Sequence, residues 1–348
     1  MRKTIIGLLV LTMLSVAIFY VMEVSDFSTS DLIEKSDVPQ LMTQQTEKEK
    51  KDLLHGDLFH MIGESEEVLE EEIGKPERKD KTPYGYTWWV YTDEVETYIM
   101  YGIKDNQVAT IFATGDELES EPFHIGDSYE DVVTSFPVKE RVTYKEGVSF
   151  FTFILNEADL ETNPLIKLGD DLFVISYFDT FDDTLSSIRI ITGDMLTQQR
   201  FYEMEYRGSL PEEIELSEEK WAEIESGMEK QIFDLTNIYR HRHQVSALQE
   251  DDDVAAVAYS HSEDMYDNNY FSHTTEDGKG LKERLEDEGV YYLSAGENIA
   301  AQHTDAPAAM EGWLNSEGHR EALLYEDYNY LGVGVHRLYY TQNFLLKP

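Results

Sequence analysis

Histidine is the side chain whose charge changes nearest neutral pH. Seven of the ten histidines in this chain fall after residue 227, at His241, His243, His261, His273, His303, His319 and His336. Two of them stand in runs with other polar groups, Tyr270-Phe271-Ser272-His273 and Trp313-Leu314-Asn315-Ser316-Glu317-Gly318-His319-Arg320. Between these lies Gly296-Glu297-Asn298-Ile299-Ala300, with its carboxylate. Imidazoles and carboxylates are the groups that bind a divalent metal or exchange protons near neutral pH. Nucleophilic chemistry has less to work with. Cysteine is absent, no Gly-x-Ser-x-Gly elbow occurs, and Ser272 and Ser316 are near the histidines only in sequence. No His-Glu-x-x-His run supports standard zinc-protease chemistry. His261 falls with Val254, Val257, Ala258 and Met265 on the apolar face of a helical pattern, so it reads as a hydrogen-bonded core residue. His55, His60 and His124 have no ligand spacing and read as ordinary polar residues.

Composition narrows the partners. Against 28 Lys+Arg stand 70 Asp+Glu, a formal charge of -42, and that field repels the phosphate backbone of nucleic acid. With no cysteine, disulfides, thiolate catalysis and Cys-ligated zinc are excluded. No motif calls for an organic cofactor. The 41% hydrophobic and 12% aromatic content is enough for packed cores, and 348 residues favour two domains.

The elements that must position the histidines can be read from periodicity. Ile232, Leu235, Ile238 and Tyr239 have helical spacing, and Asp251-Asp252-Asp253 opens a second helix. Leu331–His336 and Tyr339–Phe344 are strand-like and close together, so they predict an antiparallel hairpin. Upstream there is an internal repeat. His60-Met61-Ile62-Gly63-Glu64-Ser65 and Phe123-His124-Ile125-Gly126-Asp127-Ser128 each lead into a short helical pattern capped by the serine. Three β-rich runs follow each one, and both copies end in Thr-Gly-Asp, at 114–116 and 192–194. Residues 55–208 are therefore expected to form an α+β domain of two related halves, with Trp88 and Trp89 in its sheet core. The stretch 209–226, in which seven of eighteen residues are glutamate, reads as an exposed acidic linker to a last domain at 227–348.

The chain begins Met1-Arg2-Lys3, then runs uncharged from Thr4 to Met22. It lacks the small residues of a cleavage site at Phe19-Tyr20-Val21-Met22. Residues 1–22 thus predict a transmembrane signal anchor. A polar stalk at 23–54 follows, and the bulk of the chain lies outside the cell membrane. Cleavage of the anchor would make the protein secreted instead.

The runs after residue 227, together with Leu331-Gly332-Val333-Gly334-Val335-His336 and Tyr339-Tyr340-Thr341-Gln342-Asn343-Phe344, resemble the CAP superfamily. This is the group of cysteine-rich secretory proteins, antigen 5 and plant pathogenesis-related proteins, here in its disulfide-free bacterial branch. The resemblance spans about Met228 to Phe344 and implies an α-β-α sandwich with an open cleft. The Ile-Gly-acid-Ser starts and Gly85-Tyr86-x-Trp88-Trp89-Val90-Tyr91 resemble the domain that precedes the CAP module in some Gram-positive proteins, for which no activity is implied. Carried over, His273 and His319 match the two cleft histidines of the family and Glu297 the acid of its Gly-Glu-Asn motif. The second acid, three residues after the tryptophan, is Ser316 here, which leaves the adjacent Glu317 as the candidate replacement. Gln342 matches a recurrent cleft residue placed to bond a histidine. Such a set implies a site for zinc on His273, Glu297 and His319, or for a small ligand, in a membrane-tethered envelope protein whose partner is an unknown envelope ligand or protein. Two other readings stay open, a cell-envelope hydrolase using the same groups and a structural interaction protein.

Overall fold

The computed structural model describes residues 58–93, 96–116, 118 and 120–348. The anchor expected at 1–22 and the stalk expected at 23–54 lie outside the described residues. No described helix is long and apolar enough to cross a membrane.

The repeat is real in three dimensions. Its first copy comprises α1 (Glu66–Ile73), β1 (Arg78–Lys81), β2 (Thr87–Asp93), β3 (Thr97–Lys104) and β4 (Gln107–Thr114). The second comprises α2 (Tyr129–Ser135), β5 (Arg141–Glu146), β6 (Ser149–Ile154), α3 (Glu157–Thr162), β7 (Leu165–Lys167), β8 (Leu172–Asp179) and β9 (Thr184–Thr192). The helix α4 (Gly193–Gln199) and the strand β10 (Glu203–Arg207) complete it. The two Gly-acid-Ser steps do the same work in both copies. Gly63 and Gly126 take positive φ of 88° and 97°, a conformation open to glycine at little cost. Their N–H groups donate to the carbonyls of Val108 (2.8 Å) and Leu185 (2.9 Å) on the last strand of each copy. The following serines, Ser65 and Ser128, then accept from the backbone N–H of Val68 and Asp131 as helix caps.

The strands of the first copy and β7–β9 of the second share one antiparallel sheet, of order β1-β2-β3-β4-β9-β8-β7, with β4 and β9 joining the halves at its centre, whereas the second copy's run 149–154 lies outside it. A small sheet, β10-β6-β5, stands beside it. Apolar residues cover both faces of the large sheet, which is why its strands read as near-continuous hydrophobic runs. Trp89 packs with Tyr101, Ile111 and Ile188 on the face under α1 and α2. Trp88 packs with Tyr98, Met100 and Phe112 on the other.

That second face is where the C-terminal half docks. The elements there are α5 (Glu218–Arg242), β11 (Gln249–Glu250), α6 (Asp252–Asp267), α7 (Leu281–Asp287), β12 (Ser294–Ala301), α8 (Ala306–Leu314), α9 (Glu317–Leu323), β13 (Tyr330–His336) and β14 (Tyr339–Leu346). Their sheet has the order β11-β13-β14-β12, and β13 and β14 form the expected hairpin, His336 opposite Tyr339. Leu331, Val333, Val335, Tyr340 and Phe344 face α5 and α8, joining Ile232, Leu235, Met310 and Trp313. The opposite face carries α6 and α7, where Val254, Val257, Leu285 and Leu345 meet. Helix α6 lies directly on β13. A Cβ added to Gly334 would sit 1.9 Å from the Tyr259 nitrogen, and one on Gly332 2.3 Å from the helix backbone.

The boundary differs from the expected linker at 209–226. Ser217 caps α5, and Glu218 and Glu219 occupy its first turn, where negative charge suits the helix dipole. Ile224 and Glu225 are buried. Only 209–216 is left as a connection, because the glutamates conceal an amphipathic helix start. The halves also share one core, since Ile224, Met228 and Ile232 belong to the same cluster as Trp88 and Phe112. Polar groups are matched across the contact. Arg78 pairs with Asp234 at 2.5 Å, and Arg189, fully buried, forms two bonds to Asp305 at 2.6 and 3.0 Å. Glu311 on α8 accepts from the hydroxyls of Ser186 (2.6 Å), Ser187 and Tyr239 (2.6 Å).

Candidate functional site

The site is built along β12, the edge strand of the C-terminal sheet. Glu297 sits on β12 opposite Asn343 of β14, with its carboxylate turned to the α6–α7 face and buried. The loop after α6 brings His273 to it, with Nδ1 2.9 Å from Glu297 Oε1. His261 fixes the start of that loop, because its Nε2 donates to the Ser272 carbonyl at 3.0 Å. Burial lowers the His261 pKa, and the ring serves as the core anchor that its position on α6 predicts. The other oxygen of Glu297 takes the guanidinium of Arg284 on α7. Arg284 also holds the backbone carbonyl of His273 at 3.0 Å. Arg284 thus sets both the loop and the carboxylate, a role that no sequence motif pointed to.

His319 arrives from the other side, on α9. Its Nδ1 lies 2.8 Å from Ser316 Oγ. Ser316 is the N-cap of α9, yet its side chain caps no backbone group and is spent on the imidazole. The position where the resemblance leads one to expect an acid thus holds a hydroxyl in contact with the His319 ring. Glu317 does not replace that acid. It is exposed and lines a separate open depression with Phe181 and Arg320. Burial lowers the His319 pKa, and the charge of the nearby His273 lowers it further, so the ring is neutral at neutral pH.

Gln342 is fully buried and bonds neither histidine ring. Its Nε2 donates to Thr236 Oγ1 at 2.7 Å, and its Oε1 accepts from Asn298 Nδ2 at 3.3 Å. Asn298 Nδ2 also donates to the backbone carbonyl of His319 at 3.0 Å. Gln342 therefore supports His319 through Asn298 and α9, one step removed from the expected contact.

Both rings are thus held at Nδ1, and among the described residues neither Nε2 has a protein partner. Two free imidazole nitrogens on oriented rings suit a divalent metal such as zinc. Glu297 does not fit the expected third place, because its oxygens are already bonded to His273 and Arg284. It stands behind His273 as the group that orients it. Three ligand groups lie within reach of one ion only at Asp179, Asp182 and His243 among the described residues. There Arg320 bonds both carboxylates, at 2.8 and 3.2 Å, and supplies the positive charge itself.

Comparison with known proteins agrees with this architecture. Residues 62–202 match the CAP-associated N-terminal family, and 233–346 match the cysteine-rich secretory protein family. The chain is 42% identical over 312 residues to the Bacillus subtilis protein YlbC, described as an uncharacterized membrane protein, with 89% of each chain covered. A solved Bacillus anthracis structure, an extracellular protein containing a SCP domain, superposes with a TM-score of 0.80 at 40% identity, covering 83% of this chain and 95% of that one. A Staphylococcus aureus cysteine-rich secretory protein superposes with a TM-score of 0.74 at 25% identity, over 83% and 93% of the two chains. Two adjoining family matches, a relative aligned along most of its length and a shared three-dimensional frame lead to one assignment: the chain belongs to the cysteine-rich secretory protein (CAP) family, in the form that carries a CAP-associated N-terminal domain.

Proposed function

We propose that the protein is a membrane-tethered binding module on the outer face of a bacterial cell, whose cleft takes a divalent cation such as zinc at His273 and His319. One observation carries the reading: each ring is fixed through Nδ1, which leaves both Nε2 atoms available. Glu297, Arg284 and Ser316 hold the rings in place and stay off the metal. A bound ion would act as a Lewis acid toward a carbonyl or anionic oxygen of a ligand. The tether rests on the uncharged stretch from Thr4 to Met22 and on the membrane name of the Bacillus subtilis relative. Zinc titration calorimetry tests the cleft. One stoichiometric site is expected in the wild type, lost in His273→Ala and in His319→Ala and unchanged in Glu317→Ala. Equal zinc uptake by the wild type and the double histidine variant would sink the reading, since the acidic surface alone would then account for binding.

The contact between Ser316 and His319 favours a second reading. If the hydroxyl donates to Nδ1, the pair has the geometry of a serine nucleophile and its base. Hydrolysis of an acyl substrate that Ser316→Ala abolishes, while one zinc site is retained, would establish it.

A further inference from the structure

A cavity of about 410 Å³ lies where the two halves meet, within the roughly 300–1,000 Å³ common for small-molecule sites. Tyr177, Arg200 and Phe201 line it from the N-terminal half, and Gln302, His303 and Thr304 from the C-terminal half. None of the cleft residues His273, Glu297 and His319 is among its walls.

Two of these residues are held in backbone conformations that glycine would adopt more easily. Arg200 has φ of 56° and Gln302 φ of 63°. Such strain in non-glycine residues concentrates where a side chain is needed for function. Here both strained residues border one cavity, from opposite halves of the molecule. Neither side chain makes a hydrogen bond or ion pair with the described residues. The ring nitrogens of His303 are equally unengaged. Its ring rests on Gly312, where a Cβ would come within 2.9 Å, so the glycine makes room for it. Burial lowers the His303 pKa, so the ring is neutral, with one donor and one acceptor. Thr304 Oγ1 is buried without a partner.

The lining also tells which ligand would suit. Arg200 and Asp159 both line the cavity and carry opposite formal charges. Glu311 is turned inward onto three hydroxyls, and burial raises its pKa. The cavity therefore has little net charge for an ionic ligand. It does offer donors and acceptors side by side, next to the aromatic ring of Phe201. A hydroxyl both donates and accepts, and a sugar ring has an apolar face that stacks on an aromatic one. We propose that this cavity between the halves binds a neutral saccharide of one or two units, held by Arg200, Gln302 and His303.

The test uses the full chain in a zwitterionic detergent, titrated with cellobiose, maltose and N,N′-diacetylchitobiose and followed by ligand-observed NMR. Arg200→Gly and Gln302→Gly relieve the backbone strain while removing the side chains. Both variants are expected to fold, with Tm unchanged or raised, and to lose at least tenfold in affinity for the saccharide that binds. Chelation with EDTA should leave binding intact, which separates this site from the cleft. The proposal fails if none of the three sugars binds at tens of millimolar, or if both variants bind as the wild type does. It fails equally if EDTA abolishes binding, or if glucuronate binds in preference to the neutral sugars.

Discussion

At the level of single residues, the cleft is defined by which atom of each group is already taken. Glu297 shows this best. A carboxylate next to two histidines invites the role of metal ligand, but Arg284 and His273 occupy both of its oxygens. Its effect on a bound ion should then be indirect. Glu297→Gln is expected to weaken zinc binding about 10–100-fold without removing the site, as loss of an orienting partner does elsewhere. Calorimetry at constant pH reads this, and total loss of the site would mean direct ligation. Zinc affinity should also fall at acid pH, because a metal-bound imidazole nitrogen must be deprotonated. His273, Glu297 and His319 were legible because each stands in a short run of fixed order. Arg284 and the hydroxyl of Ser316 were not. Arg284 lies in an ordinary charged helix, and a serine before a helix reads first as a backbone cap. The depth of Gln342 was hidden as well, because its burial depends on Thr236 and Asn298, which come from other elements.

At the level of elements, contact distances decide what may change. Helix α6 rides on β13 with no side chain between them at Gly334, so Gly334→Ala should cost about 3 kcal/mol or more, at the upper end of overpacking penalties. Urea unfolding would measure it, and a loss below 1 kcal/mol would mean that the helix can retreat. On the other face, Glu229 of α5 accepts from the backbone N–H of Val335 on β13. Burial, helped by the charges of Glu225 and Glu250, raises its pKa from 4.5 to about 7. The folded state therefore binds this proton more tightly than the unfolded chain does. The resulting stability is fully present below pH 4.5 and is lost as pH rises through 7. Glu229→Gln should stabilise the protein at pH 8 by up to about 3 kcal/mol, with the gain disappearing near pH 4.5. A variant no more stable than the wild type at pH 8 would refute this. The strands and the β13–β14 hairpin were readable because alternation and aromatic runs have few competing explanations. The start of α5 was not, since seven glutamates in eighteen residues weigh more in composition than one apolar stripe weighs in pattern.

At the level of the whole molecule, the two family matches describe segments, while the core describes one body. Apolar residues of both halves belong to a single cluster, and buried charges cross the contact. Limited proteolysis should therefore cut first within 209–216, and the two fragments should still co-elute on size exclusion without denaturant. Separation of the nicked halves would show that the shared core adds little. The crossing ion pair has a further consequence, in time rather than in space. Among the described residues Arg189 has no other acid bonded to it, and its partner Asp305 lies 116 residues further along the chain. Synthesis delivers the N-terminal half first, so for those 116 residues a guanidinium destined for full burial has nothing to neutralise it. The large sheet can pair its strands during that interval but cannot close its second face. A chain truncated before Asp305 should thus persist as an open, protease-sensitive form, and the C-terminal half acts as the step that completes the N-terminal one.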